Sequence, residues 1–196
     1  MGINDYLNDS AALLKRCSEG DLSARVDEAI RQISAALKGD RCLLVCGNGG
    51  SASDAMHIAG ELIGRYLKER RAFKVVALSA NPAILTAIGN DYGYEDVFAR
   101  QVEGLAETGG IFLALSTSGN SPNVVKACAK AKAMAMYTIA LTGAGGGKLK
   151  GIADILIDVP SSSTPRIQEA HLCLYHYICQ EVESALAHTV AAADRD

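Results

Sequence analysis

His57 and Glu61 stand four residues apart, one and two helical turns downstream of the turn Cys46-Gly47-Asn48-Gly49-Gly50-Ser51. At that spacing an imidazole and a carboxylate share one helix face. An apolar run, Cys42-Leu43-Leu44-Val45-Cys46, leads into the turn, and a helix follows it. Glycines permit close backbone approach and a helix N-terminus offers free N–H groups, so the turn reads as an anion cradle. An anion cradle beside an acid–base pair suggests proton transfer on a small phosphorylated molecule.

A second loop has the same character. Ser116-Thr117-Ser118-Gly119-Asn120-Ser121-Pro122 places four hydroxyl side chains in six residues, with Ser121 fitting as N-cap and Pro122 as the first helical residue. Alone it is as readily a capped turn. Two such loops at one sheet edge favour a ligand, held by neutral donors at a helix N-terminus.

Neither loop is a nucleotide motif. Gly47 to Ala52 fits a dinucleotide pattern, but the next strand-like run, Phe73–Leu78, ends in Ser79-Ala80-Asn81 with no acid for a ribose. The segment Thr142-Gly143-Ala144-Gly145-Gly146-Gly147-Lys148-Leu149 fails the Walker A spacing. No nucleotide cofactor is expected.

The elements that must position these residues alternate along the chain. Ile3, Leu7, Ala11 and Leu14 keep helical spacing, as do Leu22, Val26, Ala29, Ile30, Ile33 and Leu37, with Gly20-Asp21 between and Asp21 fitting as N-cap. Strand-like runs follow at Arg41–Cys46, Phe73–Leu78, Ile111–Leu115, Met136–Leu141 and Asp154–Val159. Continuous apolar strands separated by helices predict a doubly wound α/β fold, a five-stranded parallel sheet in a flavodoxin-like three-layer sandwich with an N-terminal helical extension. Ligands in such folds sit beyond the C-terminal strand ends. The chain reads as one domain over 1–196: a helical arm at 1–39, the core with its last helix at 40–188, and a frayed tail at 189–196.

The helix after the first turn is expected from Ala52 to about Leu67. It would bury Ala55, Ala59, Leu62 and Tyr66 with Met56, Ile58 and Ile63. Asp54, His57, Glu61 and Arg65 then fall within roughly an 80° arc. That arc is a solvated polar face or a working one, and the helix alone leaves both open. A last helix from about Thr164 to Ala187 carries Gln168, His171 and His176. Gln168 and His176 lie about 12 Å apart along its axis, and spacing assigns neither a role.

Composition removes several classes. A net charge of -3 gives no electrostatic footprint for nucleic acid, and no apolar run is long enough to span a membrane. The N-terminus has neither a basic nor an apolar leader segment. Six cysteines without a CxxC pair read as reduced, mostly buried thiols of a cytoplasmic protein, with Cys42 and Cys46 on one strand face and Cys128, Cys173 and Cys179 at apolar helix positions.

Five segments in order, CGNGGSASDAMHIAGEL, AIGNDYGYEDVFARQVE, LALSTSGNSPNVVKA, ALTGAGGGKL and TPRIQEAHLCLYH, resemble the sugar isomerase (SIS) domain family and, within it, the phosphoheptose isomerases. The resemblance implies a ketose–aldose isomerase that converts sedoheptulose 7-phosphate to D-glycero-D-manno-heptose 7-phosphate through an enediol, the first step towards nucleotide-activated heptose for lipopolysaccharide. It implies that Asn48, Gly49, Gly50 and Ser51 form the first substrate loop. Asn90 and Asp91 then contact the sugar, and Ser116, Thr117, Ser118 and Ser121 hold the phosphate. His57, Glu61, Gln168 and His176 match its zinc-binding and catalytic cluster, with one zinc per subunit, Glu61 as base and His176 as partner. Gln168 also matches a substrate contact, although glutamine is an unusual zinc ligand. His171 matches no functional position. Where some members carry an acid just before Arg166-Ile167-Gln168, this chain has Thr164-Pro165. The same resemblance implies a homotetramer with sites near subunit interfaces. The alternatives are a non-enzymatic branch like the initiator-associating proteins of replication, which generally lacks the acid at Glu61 and the imidazole at His176, and a sugar-phosphate sensor.

Overall fold

The computed structural model describes residues 2–190. Two helices, α1 (Ile3–Glu19) and α2 (Leu22–Lys38), precede β1 (Leu43–Gly47), α3 (Gly50–Ile63), β2 (Val75–Ala77) and α4 (Pro82–Asp91). After a short 3-10 turn at Tyr94–Asp96 come α5 (Ala99–Leu105), β3 (Ile111–Ser116), α6 (Pro122–Ala133) and β4 (Tyr137–Thr142). A second 3-10 turn, Gly147–Gly151, leads to β5 (Ile155–Asp158) and α7 (Thr164–Val190).

The five strands form one parallel sheet in the order β2-β1-β3-β4-β5. This is the flavodoxin-like order, so the expected fold class is borne out. Strand residues alternate between two cores. Leu43, Val45, Leu113, Leu115, Ile139 and Leu141 pack with α2, α3 and α7 on one face. Leu44, Cys46, Phe112, Ala114 and Ala140 pack with α5 and α6 on the other. Covering both faces is why the strands read as unbroken apolar runs.

Local differences from the sequence reading have identifiable causes. The α2 helix buries Leu22, Val26, Ala29, Ile33, Ala36 and Leu37, so it belongs to the layer on the sheet, whereas α1 buries only Leu13. The α3 helix ends at Ile63 rather than near Leu67, leaving Met56 and Ile63 exposed and Tyr66 beyond the helix. Asp21 sits at the N-cap position of α2, but its carboxylate takes the Arg25 guanidinium (2.8 Å) instead of backbone N–H groups. All six cysteines are free, Cys42, Cys46, Cys128 and Cys179 are buried, and Cys173 is exposed. Because α7 continues to Val190, the chain is helical past Ala187, and the rest of the expected frayed tail lies outside the described residues.

Candidate active site

The order of the sheet reverses between β1 and β3. Here α3 leaves towards one face and α6 towards the other, opening a crevice at the C-terminal strand ends. Gly47 pairs in register with Leu115, so the glycine turn and the serine loop emerge side by side. A reciprocal pair of amide hydrogen bonds, Asn48 to Asn123 and Asn123 to Asn48, both 2.9 Å, ties the two loops together. The Tyr94 hydroxyl donates to the same Asn48 oxygen at 3.1 Å. At the end of β2, Ser79 donates to the Gly47 carbonyl (2.9 Å) and Asn81 caps α4.

Both helix N-termini in the crevice lack a side-chain cap. Gly49, at φ +55, is the N-cap of α3 and has no side chain to offer. Ser121 occupies the N-cap of α6, but its hydroxyl pairs with that of Ser116 at 3.1 Å instead of capping. The first N–H groups of a helix have no intrahelical acceptor, so each terminus presents a partial positive charge to an anion, although at α6 Pro122 has no N–H and Asn123 Oδ1 already accepts from the Val124 N–H (3.0 Å). Close packing fixes the serine loop. Gly119 N–H donates to the Ser116 carbonyl (2.9 Å), and a β-carbon at Gly147 would lie 2.5 Å from the Ser118 carbonyl. Ser116 is buried, Thr117 and Ser121 are half-buried, and Ser118 is exposed.

Two turns into α3 the acid–base cluster assembles. His57 Nε2 lies 2.9 Å from Glu61 Oε1, and its ring meets that of His176 edge-on at 5.0 Å. His57, Glu61 and His176 each present one ligand atom within 4.8 Å of the others. Two imidazoles and a carboxylate suit zinc, and catalytic zinc sites commonly use three protein donors with one position open. The donor set therefore fits a divalent metal. On its far side His57 Nδ1 lies 2.9 Å from the Tyr175 hydroxyl, which also reaches Asp54 Oδ1 at 3.3 Å. Burial, reinforced by Asp54, pushes the Tyr175 phenol above its ordinary range, and burial also raises the Asp54 carboxyl.

The segment after α3 is pinned by a buried ion pair. Glu183 accepts from the backbone N–H groups of Tyr66, Leu67 and Lys68 at 2.8, 2.6 and 2.8 Å. The Arg70 guanidinium lies 3.2 Å from that carboxylate and donates to the carbonyls of Gly64 and Glu61, both at 2.8 Å. Burial works to raise the Glu183 carboxyl, but the backbone donors and Arg70 outweigh it and hold it below its usual range.

An SIS domain model matches residues 5–143, more than half of the sequence and the whole of the first loop and the serine loop. The chain belongs to the SIS domain family. Within it, the chain is 46% identical over 185 residues to a phosphoheptose isomerase of Bradyrhizobium sp. (strain ORS 278), covering 94% of this chain and 93% of that one. It is also 46% identical over 184 residues to a phosphoheptose isomerase of Helicobacter pylori (strain P12), covering 94% and 95%. The solved phosphoheptose isomerase of Neisseria gonorrhoeae superposes with a TM-score of 0.87 at 37% identity, covering 93% of this chain and 97% of that one. That of Francisella tularensis superposes with 0.87 at 32% identity, covering 93% and 96%. The chain is a phosphoheptose-isomerase-type member of the SIS family.

On this SIS framework Asn48, Gly49, Gly50 and Ser51 line the crevice beside Ser116–Ser121, while His57, Glu61 and His176 gather further along α3. The Gln168 carboxamide lies against Gly50, at the start of α3. Asn90 and Asp91 are exposed at the end of α4 and bond to each other at 2.8 Å. His171 is structural: fully buried, it donates Nε2–H to the Thr142 carbonyl (3.2 Å), and burial lowers its pKa to about 4. The sequence reading passed over Asn123, Tyr94 and Tyr175. An asparagine inside the first turn of α6, a weak helix former in that place, is the one signal that marks Asn123.

Proposed function

We propose that the whole chain acts as one unit to isomerise sedoheptulose 7-phosphate to the aldose heptose 7-phosphate. The observation that carries this reading is the convergence, at one sheet edge, of two uncapped helix N-termini with the His57–Glu61–His176 cluster. The substrate itself comes from the names of the relatives, which are phosphoheptose isomerases.

Ser116, Thr117, Ser118 and Ser121 seat the phosphate with neutral donors at the α6 N-terminus, which binds a dianion without an opposing lysine. Asn48, Gly49, Gly50, Ser51 and Gln168 border the sugar chain, with Asn90 and Asp91 at its open side. Glu61 removes a proton from C1 as His176 gives one to the ketone oxygen, which forms the enediol. The Glu61 carboxyl then returns its proton to C2 while His176 takes the proton of the C1 hydroxyl, leaving the aldehyde and both side chains as they began. A base, an acid and stabilisation of the developing oxyanion are what this reaction requires. A zinc ion held by His57, Glu61, Gln168 and His176 would supply Lewis-acid polarisation of the carbonyl. The test is direct: purified protein with sedoheptulose 7-phosphate, with and without added zinc, and Glu61→Gln alongside. Absence of aldose from the wild-type chain in both conditions would sink the assignment.

We also propose a homotetramer in the cytoplasm. The α1 helix exposes Ile3 and Leu7 at 69% and 57%, and an apolar groove of about 420 Å³ runs between α1, α2 and α7 past Leu14, Leu174 and Tyr177. No described helix is long and apolar enough to cross a membrane, and the free thiols suit a reducing compartment. Light scattering giving a stable monomer would contradict the assembly.

A further inference from the structure

The far side of His57 carries information that the catalytic reading does not use. The Tyr175 side chain is 1% exposed, and its hydroxyl, with a single hydrogen, has two partners: His57 Nδ1 at 2.9 Å and Asp54 Oδ1 at 3.3 Å. A carboxylate only accepts, so the phenol proton belongs to Asp54. The phenol oxygen must then accept from His57, which places the imidazole hydrogen on Nδ1. Asp54 Oδ2 is buried with no hydrogen-bond partner, so among the described residues the phenol is the one group that satisfies this carboxylate. A half-buried carboxylate with one oxygen out of water and unpaired is costly to keep.

With the hydrogen on Nδ1, His57 Nε2 holds a lone pair directed at Glu61 Oε1, 2.9 Å away, with His176 completing the cluster. Two acceptors at that separation repel unless a proton or a cation lies between them. We propose that Tyr175, oriented by Asp54, is a positioning residue that fixes the Nδ1–H tautomer of His57 and so aims its Nε2 lone pair at a divalent cation shared with Glu61 and His176. Metal-bound histidines characteristically donate their second N–H to a carboxylate or another acceptor, and here a phenol relays that contact to Asp54. The inference rests on the metal reading of this cluster and extends it to two residues that do not touch the ion.

The experiment measures zinc affinity by competition with a chromophoric chelator in the wild-type, Tyr175→Phe and Asp54→Ala proteins. It also reads the His57 tautomer by NMR of 15N-histidine-labelled, metal-free protein at about pH 8.5, where an ordinary imidazole is neutral. Tyr175→Phe is expected to weaken zinc binding by about 10- to 100-fold, the usual effect of losing such an outer contact. Asp54→Ala keeps the phenol packed in place but frees its proton to turn onto Nδ1, so the tautomer inverts to Nε2–H and zinc binding weakens at least as much. A purely structural Tyr175 predicts no inversion. Zinc affinities within twofold of wild type in both variants, or an unchanged tautomer in Asp54→Ala, would overturn the proposal. If the wild-type chain takes up no zinc, the metal reading falls and the tautomer decides alone: Nδ1–H in the wild type upholds the relay and Nε2–H overturns it.

Discussion

The carboxamide of Gln168 covers Gly50 so closely that a β-carbon on that glycine would lie 2.5 Å from Gln168 Nε2. The contact joins the start of α7 to the first turn of α3, elements more than a hundred residues apart in sequence, and it sets how far Gln168 reaches into the crevice. Gly50→Ala tests it. Alanine is the better helix former by about 1 kcal/mol, and the clash is with the tip of a flexible side chain, so the melting temperature should hold or rise. The displaced carboxamide should lower kcat/KM by about 10²-fold, the scale of an ångström-level misplacement near a reacting centre. Full activity in a stable Gly50→Ala protein would remove Gln168 from the site.

Glu61→Gln preserves shape and removes the base. General acid–base catalysis contributes about 10²–10⁴-fold, and kcat should fall by that range. KM for the sugar phosphate should change little, because the phosphate seat on the serine loop is untouched. A rise in KM at constant kcat would move Glu61 from proton transfer to substrate binding.

The strands were legible because a sheet covered on both faces needs apolar residues at every position, and runs such as Ile111–Leu115 carry that signal locally. Helix ends were less so. Tyr66 and Leu67 continue an apolar pattern, but their backbone N–H groups are captured by Glu183, 117 and 116 residues away, and no window of sequence contains that partner. Tyr175 was invisible for a related reason. It reads as an apolar position on the last helix, and its hydroxyl matters only because α3 brings His57 and Asp54 to it. The first loop and the serine loop were readable because glycine and hydroxyl clusters are local; their union through Asn48 and Asn123 depends on strand order.

Arg70→Met tests the clasp behind α3. The Arg70 and Glu183 side chains are 0% and 1% exposed. Removing one partner of a buried pair costs about 3–5 kcal/mol. The Arg70 change also leaves the carbonyls of Gly64 and Glu61 without their donor. Urea denaturation should show a clear drop in midpoint, and an unchanged midpoint would refute the stabilising role of the pair.

The last prediction concerns acid. His171 is fully buried and its pKa is lowered to about 4, against 6.5 for an ordinary histidine. Between those values the unfolded chain takes a proton that the folded chain refuses, so unfolding gains protons and stability falls as pH falls. The contribution is fully present above about pH 6.5 and diminishes by about 1.4 kcal/mol for each pH unit below it, reaching about 2 kcal/mol at pH 5. Glu183, held below its usual range, adds a loss of the same sign in more acidic solution, and the raised Asp54 carboxyl works the other way, so the histidine is isolated by comparing variant and wild type at about pH 7 and pH 5. His171→Gln retains a donor for the Thr142 carbonyl and cannot titrate. Its unfolding free energy, lower than wild type at neutral pH, should lose less between the two pH values by that same amount. Equal losses in both proteins would show that His171 is not the group whose protonation the fold resists.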